Sequence, residues 1–184
     1  MAAGFGVSLP AVGSLTTAFA VGVIVGAPLV AMLSLRWPRR RALLTFLITF
    51  PLAHVVGALT HSFEVLFVTR VIAALTNAGF LAVGLATAAS MAGPQAKGRA
   101  TSALLSGVTL ADTAGVPLGA VLSEVWGWRS AFWGVAIVST SAVFAVLWSV
   151  PATPVDPAVP SVRHELRAFR TPRVITTLVL GAGQ

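Results

Sequence analysis

Cysteine is absent from this sequence. Its absence excludes disulfides, thiolate catalysis and cysteine-ligated metal sites. Charge is scarce too. Asp, Glu, Lys and Arg make up 9% of the 184 residues, against about 25% in a soluble domain. Too few polar groups remain to cover a water-facing surface. Only five residues are acidic, and they form no pair suited to general acid–base work. HExxH, GxSxG and phosphate-binding loops are missing as well. The sequence therefore reads as a non-enzyme with no cofactor and no metal, and any energy it uses comes from an ion gradient. The opening "MAAGFGVSLPAVG" lacks the basic start of a signal peptide.

What is present is apolar. Hydrophobic residues make up 57% of the chain, and the mean hydropathy is +0.92. A membrane helix needs about 20 mostly apolar residues. Five stretches qualify, roughly Leu15–Leu35, Ala42–Leu59, Phe63–Met91, Ala100–Val125 and Ser130–Val150. A sixth run begins near Val174. The expected fold is an all-α integral membrane protein with five complete transmembrane helices and the start of another. The net charge of +7 raises the question of nucleic acid. However, the aromatics lie in apolar runs with no basic stripe between them, so no nucleic-acid partner is expected and the bilayer is.

The connectors are short and carry breakers: Pro38, "HSFE" (His61–Glu64), "GPQAKG" (Gly93–Gly98) and "WGW" (Trp126–Trp128). The exception holds Pro151, Pro154, Pro157, Pro160 and Pro172 and reads as an extended linker. Within it, "PSVRHELRAFRTP" puts Val162, Leu166 and Phe169 on one face among arginines, as in a short helix lying on a membrane surface.

Lys and Arg collect in cytoplasmic loops. The knot Arg36, Arg39, Arg40 and Arg41, the pair Lys97 and Arg99, and the linker's Arg163, Arg167, Arg170 and Arg173 are ten of twelve basic residues. They fall in alternate connectors, so the first span runs from outside to inside. The knot reads equally well as a topology anchor alone.

Two charges lie inside apolar spans, Arg70 and Asp112. A charge at mid-membrane costs about 2.5–3.5 kcal/mol, so it normally has a partner or a task. Arg70 suits binding an anionic group or holding a carboxylate charged. Asp112 suits taking up and releasing a proton. The plainer readings are an arginine snorkelling to the outer interface and a protonated carboxyl hydrogen-bonded to a neighbouring helix. Asn77 is a candidate cavity-lining residue or an interhelical hydrogen-bonder. His54 is a proton relay or a packed side chain. "GVTLADTAGVPLG" carries Gly107, Gly115 and Gly119 around Pro117, and Gly115 and Gly119 form a GxxxG. Such pairs let a second helix approach closely, and the proline bends the helix. Gly22, Gly26 and Pro28 repeat the theme in the first span.

Four stretches carry a family resemblance: "LTTAFAVGVIVGAPLVAMLSLRWPRRRALL", "VTRVIAALTNAGFLAVGLATAASM", "AKGRATSALLSGVTLADTAGVPLGAVLSEVWGWRSAFW" and "PSVRHELRAFRTPRV". Together they resemble the major facilitator superfamily, in particular its bacterial drug:proton antiporters and their chloramphenicol-resistance exporters. The third also resembles the superfamily's sugar-efflux members. The resemblance implies a proton-coupled exporter of chloramphenicol-like or other small amphipathic molecules, with protons and drug as partners, in the bacterial plasma membrane. It implies that Arg36, Arg39 and Arg40 belong to the gating loop between family helices two and three. Leu35 stands at that loop's Asp position, so a charge-pair latch is not implied and a cytoplasmic anchor is. Ala31 and Pro38 stand at its two glycine positions. Arg70 matches the fourth-helix arginine linked to proton coupling, although Ala73 replaces the polar residue three places on. Gly107, Gly115, Pro117 and Gly119 match the fifth-helix antiporter motif with altered spacing.

The resemblance also implies an organisation. Residues 1–150 form a partial N-terminal domain holding family helices two to six, 151–173 the cytoplasmic interdomain linker, and 174–184 the start of helix seven. The first helix is expected to be missing, along with the C-terminal half of the transporter. The chain alone is then expected not to transport. A truncated remnant, a membrane scaffold, and a sugar-efflux or uptake member of the superfamily are the alternatives.

Overall fold

A computed structural model of the chain describes residues 6–34 and 37–150. Arg36, the linker at 151–173 and the run at 174–184 lie outside the described residues. Five helices follow one another: α1 (Leu9–Ser34), α2 (Arg39–Leu59), α3 (Phe63–Met91), α4 (Gly93–Trp126) and α5 (Trp128–Ser149). All five are long and apolar enough to cross a membrane. Helix satisfies every backbone polar group within one segment, which a hydrocarbon solvent demands. Several hydroxyls follow the same rule. Thr76 Oγ1 donates to Ile72 O at 2.9 Å, Thr87 Oγ1 to Val83 O at 2.7 Å and Thr113 Oγ1 to Thr109 O at 2.7 Å. Each polar tip closes onto its own helix.

The helices outrun the spans read from hydropathy. α1 starts at Leu9, ahead of the expected Leu15. Gly93–Gly98, expected as a connector, is instead the opening of α4. Gly93 turns the chain at φ +70°, a conformation open to glycine. Pro94 then sits at a first-turn position, where its missing N–H costs nothing. Only Ala92 separates α3 from α4, and only Gly127, at φ +82°, separates α4 from α5. Ser62 caps α3, its side chain accepting from Val65 N at 3.4 Å.

α3 is the central helix and packs against α1, α2 and α4, while α5 packs against α2 and α4. Leu66 of α3 is wholly buried, in a cluster with Leu15, Ala58 and Phe132. Further along α3, Ala73, Ala74 and Ala78 are buried. Their small side chains bring α1 close. A methyl group built on Gly22 would lie 2.7 Å from Ala74 Cβ, and one on Gly26 2.7 Å from Leu75 Cδ2. Outward-facing Ile24, Leu110, Ile137 and Trp148 are exposed. In water such a surface is an interaction site; on helices long and apolar enough to cross a membrane it suits contact with lipid or with another helix.

Two arginines tie α2 to α5 at opposite ends. Arg40, second residue of α2, donates from Nη2 to Leu147 O near the end of α5, at 3.0 Å. Arg129, second residue of α5, donates from Nε to Ala58 O at 2.9 Å and from Nη2 to Thr60 O at 3.0 Å, at the end of α2. The last carbonyls of a helix lack intrahelical partners and carry partial negative charge. The two antiparallel helices therefore cap each other.

Candidate functional site

Arg70 projects from α3 about two turns beyond Phe63. Its guanidinium carbon lies 4.3 Å from the centre of the Phe132 ring on α5. Its Nε is buried and has no hydrogen-bond partner among the described residues. Among the described residues, the group recorded against its charge is this ring face and not a carboxylate. Phe132 is itself confined. Trp128 meets it edge-on, with centroids 5.5 Å apart at 78°, and the His54 ring lies 5.8 Å away. A methyl group on Gly57 would lie 2.8 Å from Phe132 Cε1 and 3.3 Å from Thr69 Oγ1. His54 is buried and stacks obliquely on Phe50 at 4.4 Å. Its Nδ1 lies 2.8 Å from Phe50 O. A carbonyl only accepts, so Nδ1 carries the hydrogen, and in the neutral ring Nε2 is the acceptor. Residues of α2, α3 and α5 thus meet around one aromatic ring.

Asp112 is placed differently. It lies on α4, is exposed, and is not brought into the cluster around Arg70. Gly107, Gly115 and Pro117 are exposed and Gly119 is half-buried. A methyl group on any of the three glycines would meet nothing within 4 Å among the described residues. Asn77 is half-buried on α3.

Arg39 and Arg40 sit at the other end of the bundle. The Arg39 guanidinium donates to Ser90 Oγ at the end of α3. With Arg40 on Leu147 O, the knot binds the ends of two helices of its own unit.

Residues 1–184 match the sequence profile of the Major Facilitator Superfamily. The chain belongs to the Major Facilitator Superfamily. It is 50% identical to a chloramphenicol resistance protein of Streptomyces lividans, over 99% of this chain and 47% of that protein. The inner membrane transport protein YdhP of Escherichia coli is 35% identical, over 100% of this chain and 48% of its own length. A chloramphenicol efflux pump of Mycobacterium tuberculosis is 34% identical, over 95% of this chain and 42% of the pump. The chain thus spans about half the length of these curated relatives. With five membrane-crossing helices and bacterial relatives, this Major Facilitator Superfamily chain is a multi-pass protein of the bacterial inner membrane. The superfamily is one of transporters, so the chain is not an enzyme.

Sequence reasoning singled out Arg70 but missed its seat, Phe132 and Gly57. When every face of a helix is apolar, no periodicity says which side chain points inward. The signal that does exist is "WGWRSAF", where Trp128 and Phe132 are four residues apart and share a helix face.

Proposed function

We propose that this chain is part of a proton-coupled efflux transporter for chloramphenicol-like or other small amphipathic molecules. The main support is the 50% identity to the Streptomyces chloramphenicol resistance protein, which runs over 99% of the chain. An arginine in an apolar span with no carboxylate partner among the described residues adds to it, since intramembrane charge is expensive and usually has a task.

In this reading α1–α5 are family helices two to six, 151–173 is the cytoplasmic linker and 174–184 begins the next helix. Substrate sites in such folds lie between two halves near the midplane, so the remainder of the transporter is the partner that completes the site. Arg70 and Asp112 serve proton coupling. Asn77 lines the cavity, Arg36, Arg39 and Arg40 form the gating loop, and Gly107, Gly115, Pro117 and Gly119 form the antiporter motif on the open side of α4.

The test is chloramphenicol accumulation in an efflux-deficient bacterial host expressing the complete gene. Expression should lower accumulation, and a protonophore should restore it. Asp112→Asn should abolish the gradient-driven part. Accumulation equal to that of the empty host would sink the substrate assignment. Efflux that survives the protonophore would sink the coupling.

A further inference from the structure

We propose that Phe132 is a positioning residue for Arg70, its ring face holding the guanidinium in place and Gly57 holding the ring. The importance of this seat for transport rests on the coupling role proposed above for Arg70. The seat itself does not.

Three observations carry the inference. First, an arginine in an apolar span needs compensation, yet the Arg70 Nε has no hydrogen-bond partner among the described residues. The contact recorded for the half-buried guanidinium is the Phe132 ring at 4.3 Å, well within cation–π range. Second, the ring cannot drift. Phe132 is 7% exposed, Trp128 meets its edge, and Leu15, Ala58 and Leu66 complete the cluster around it. Third, α2 has a glycine opposite the ring. Any side chain at 57 would start 2.8–2.9 Å from two Phe132 ring atoms and push the ring off its position. Three helices therefore determine where one positive charge points, although only one of them carries it.

His54 of α2 is the titratable group that shares the ring with Arg70. Arg129 lies at the start of α5, engaged with the α2 carbonyls and stacked over Trp128 at 4.4 Å. Neither supplies a counter-charge, so among the described residues no carboxylate competes with the ring face for Arg70.

The experiment is arginine-specific labelling of the purified chain in detergent. Phenylglyoxal is the probe, and modification is read at Arg70 by peptide mass spectrometry. Exposed Arg99 is the internal reference. Phe132→Leu removes the ring and should raise the Arg70 labelling rate by about tenfold, the order of one partly buried cation–π contact. Phe132→Tyr should restore protection. Trifluorophenylalanine at 132 keeps the shape but depletes the ring face, and should give an intermediate rate. Gly57→Ala, which touches no charge, should also raise labelling. Because trifluorophenylalanine keeps the shape of the ring, it reports even if Phe132→Leu or the crowded Gly57→Ala does not fold. Wild-type labelling in Phe132→Leu, or fluorinated and native rings that behave alike, would overturn the proposal. Efflux by the complete gene carrying Arg70→Ala is measured in parallel. Normal efflux there removes the coupling role of Arg70 and leaves the labelling result to decide the seat.

Discussion

Two glycine pairs in this chain share one spacing and have opposite surroundings. Gly22 and Gly26 of α1 are pressed against Ala74 and Leu75 of α3, with no room for a methyl group. Gly115 and Gly119 of α4 face open space among the described residues. Each pair has a proline nearby, Pro28 and Pro117. The intramembrane charges divide in the same way, with Arg70 inside the packed cluster and Asp112 exposed on α4. The difference shows that GxxxG states only a capacity for close approach. Whether a helix fills it depends on what lies opposite.

The sharpest way to break the comparison is to crowd both pairs alike. Gly22→Val should be the most damaging change, because neither its Cβ nor that of Ala74 can rotate away. A loss of at least about 1–3 kcal/mol is expected for such overpacking, visible as a lower melting temperature in detergent. Gly115→Val should leave the melting temperature of the chain nearly unchanged. Equal losses at the two sites would mean that the α4 pair is covered after all.

Next in size is the mutual capping of α2 and α5. Arg129→Ala strips partners from Ala58 O and Thr60 O, and hydrogen bonds to charged groups contribute about 1.5–3 kcal/mol. Thermal unfolding and hydrogen exchange at the end of α2 should both register it. Arg40→Ala removes one bond at a more exposed end. It should cost less, about 1 kcal/mol or under, with exchange rising at the end of α5. A larger loss from Arg40→Ala than from Arg129→Ala would reverse the ranking of the two ends.

The smallest effect on stability is expected from Gly115→Ala. Alanine is the better helix former by about 1 kcal/mol, and no neighbour among the described residues resists it. Its melting temperature should be equal or slightly higher. In the complete gene the same change should impair chloramphenicol efflux, because the open face of α4 is where the proposed antiporter motif works. Full efflux in Gly115→Ala would separate the motif from the activity.

Much of the fold was legible because lipid is an unforgiving solvent. The five apolar runs led to five helices, and the breakers His61–Ser62 and Gly127 fell between them. Gly93–Gly98 was misread because Gly and Pro break a helix interior but suit a helix start. The site was less legible. Arg70 stood out as a charge in an apolar run. Phe132 did not, being one of ten phenylalanines in a chain that is 57% hydrophobic. Arg40 reads as part of a basic knot in a connector, and nothing local announces which carbonyls it or Arg129 reaches.

The sequence by itself determined that this chain is helical and membrane-spanning, because each apolar run must satisfy its own backbone in lipid. It also determined the family and the presence of a costly intramembrane arginine. Only the tertiary structure decided that a phenyl ring from α5 and a glycine from α2 hold that arginine. Only it decided which of two equally spaced glycine pairs is closed. Both depend on contacts between helices distant in sequence, and in a uniformly apolar helix no local pattern encodes which face meets which neighbour.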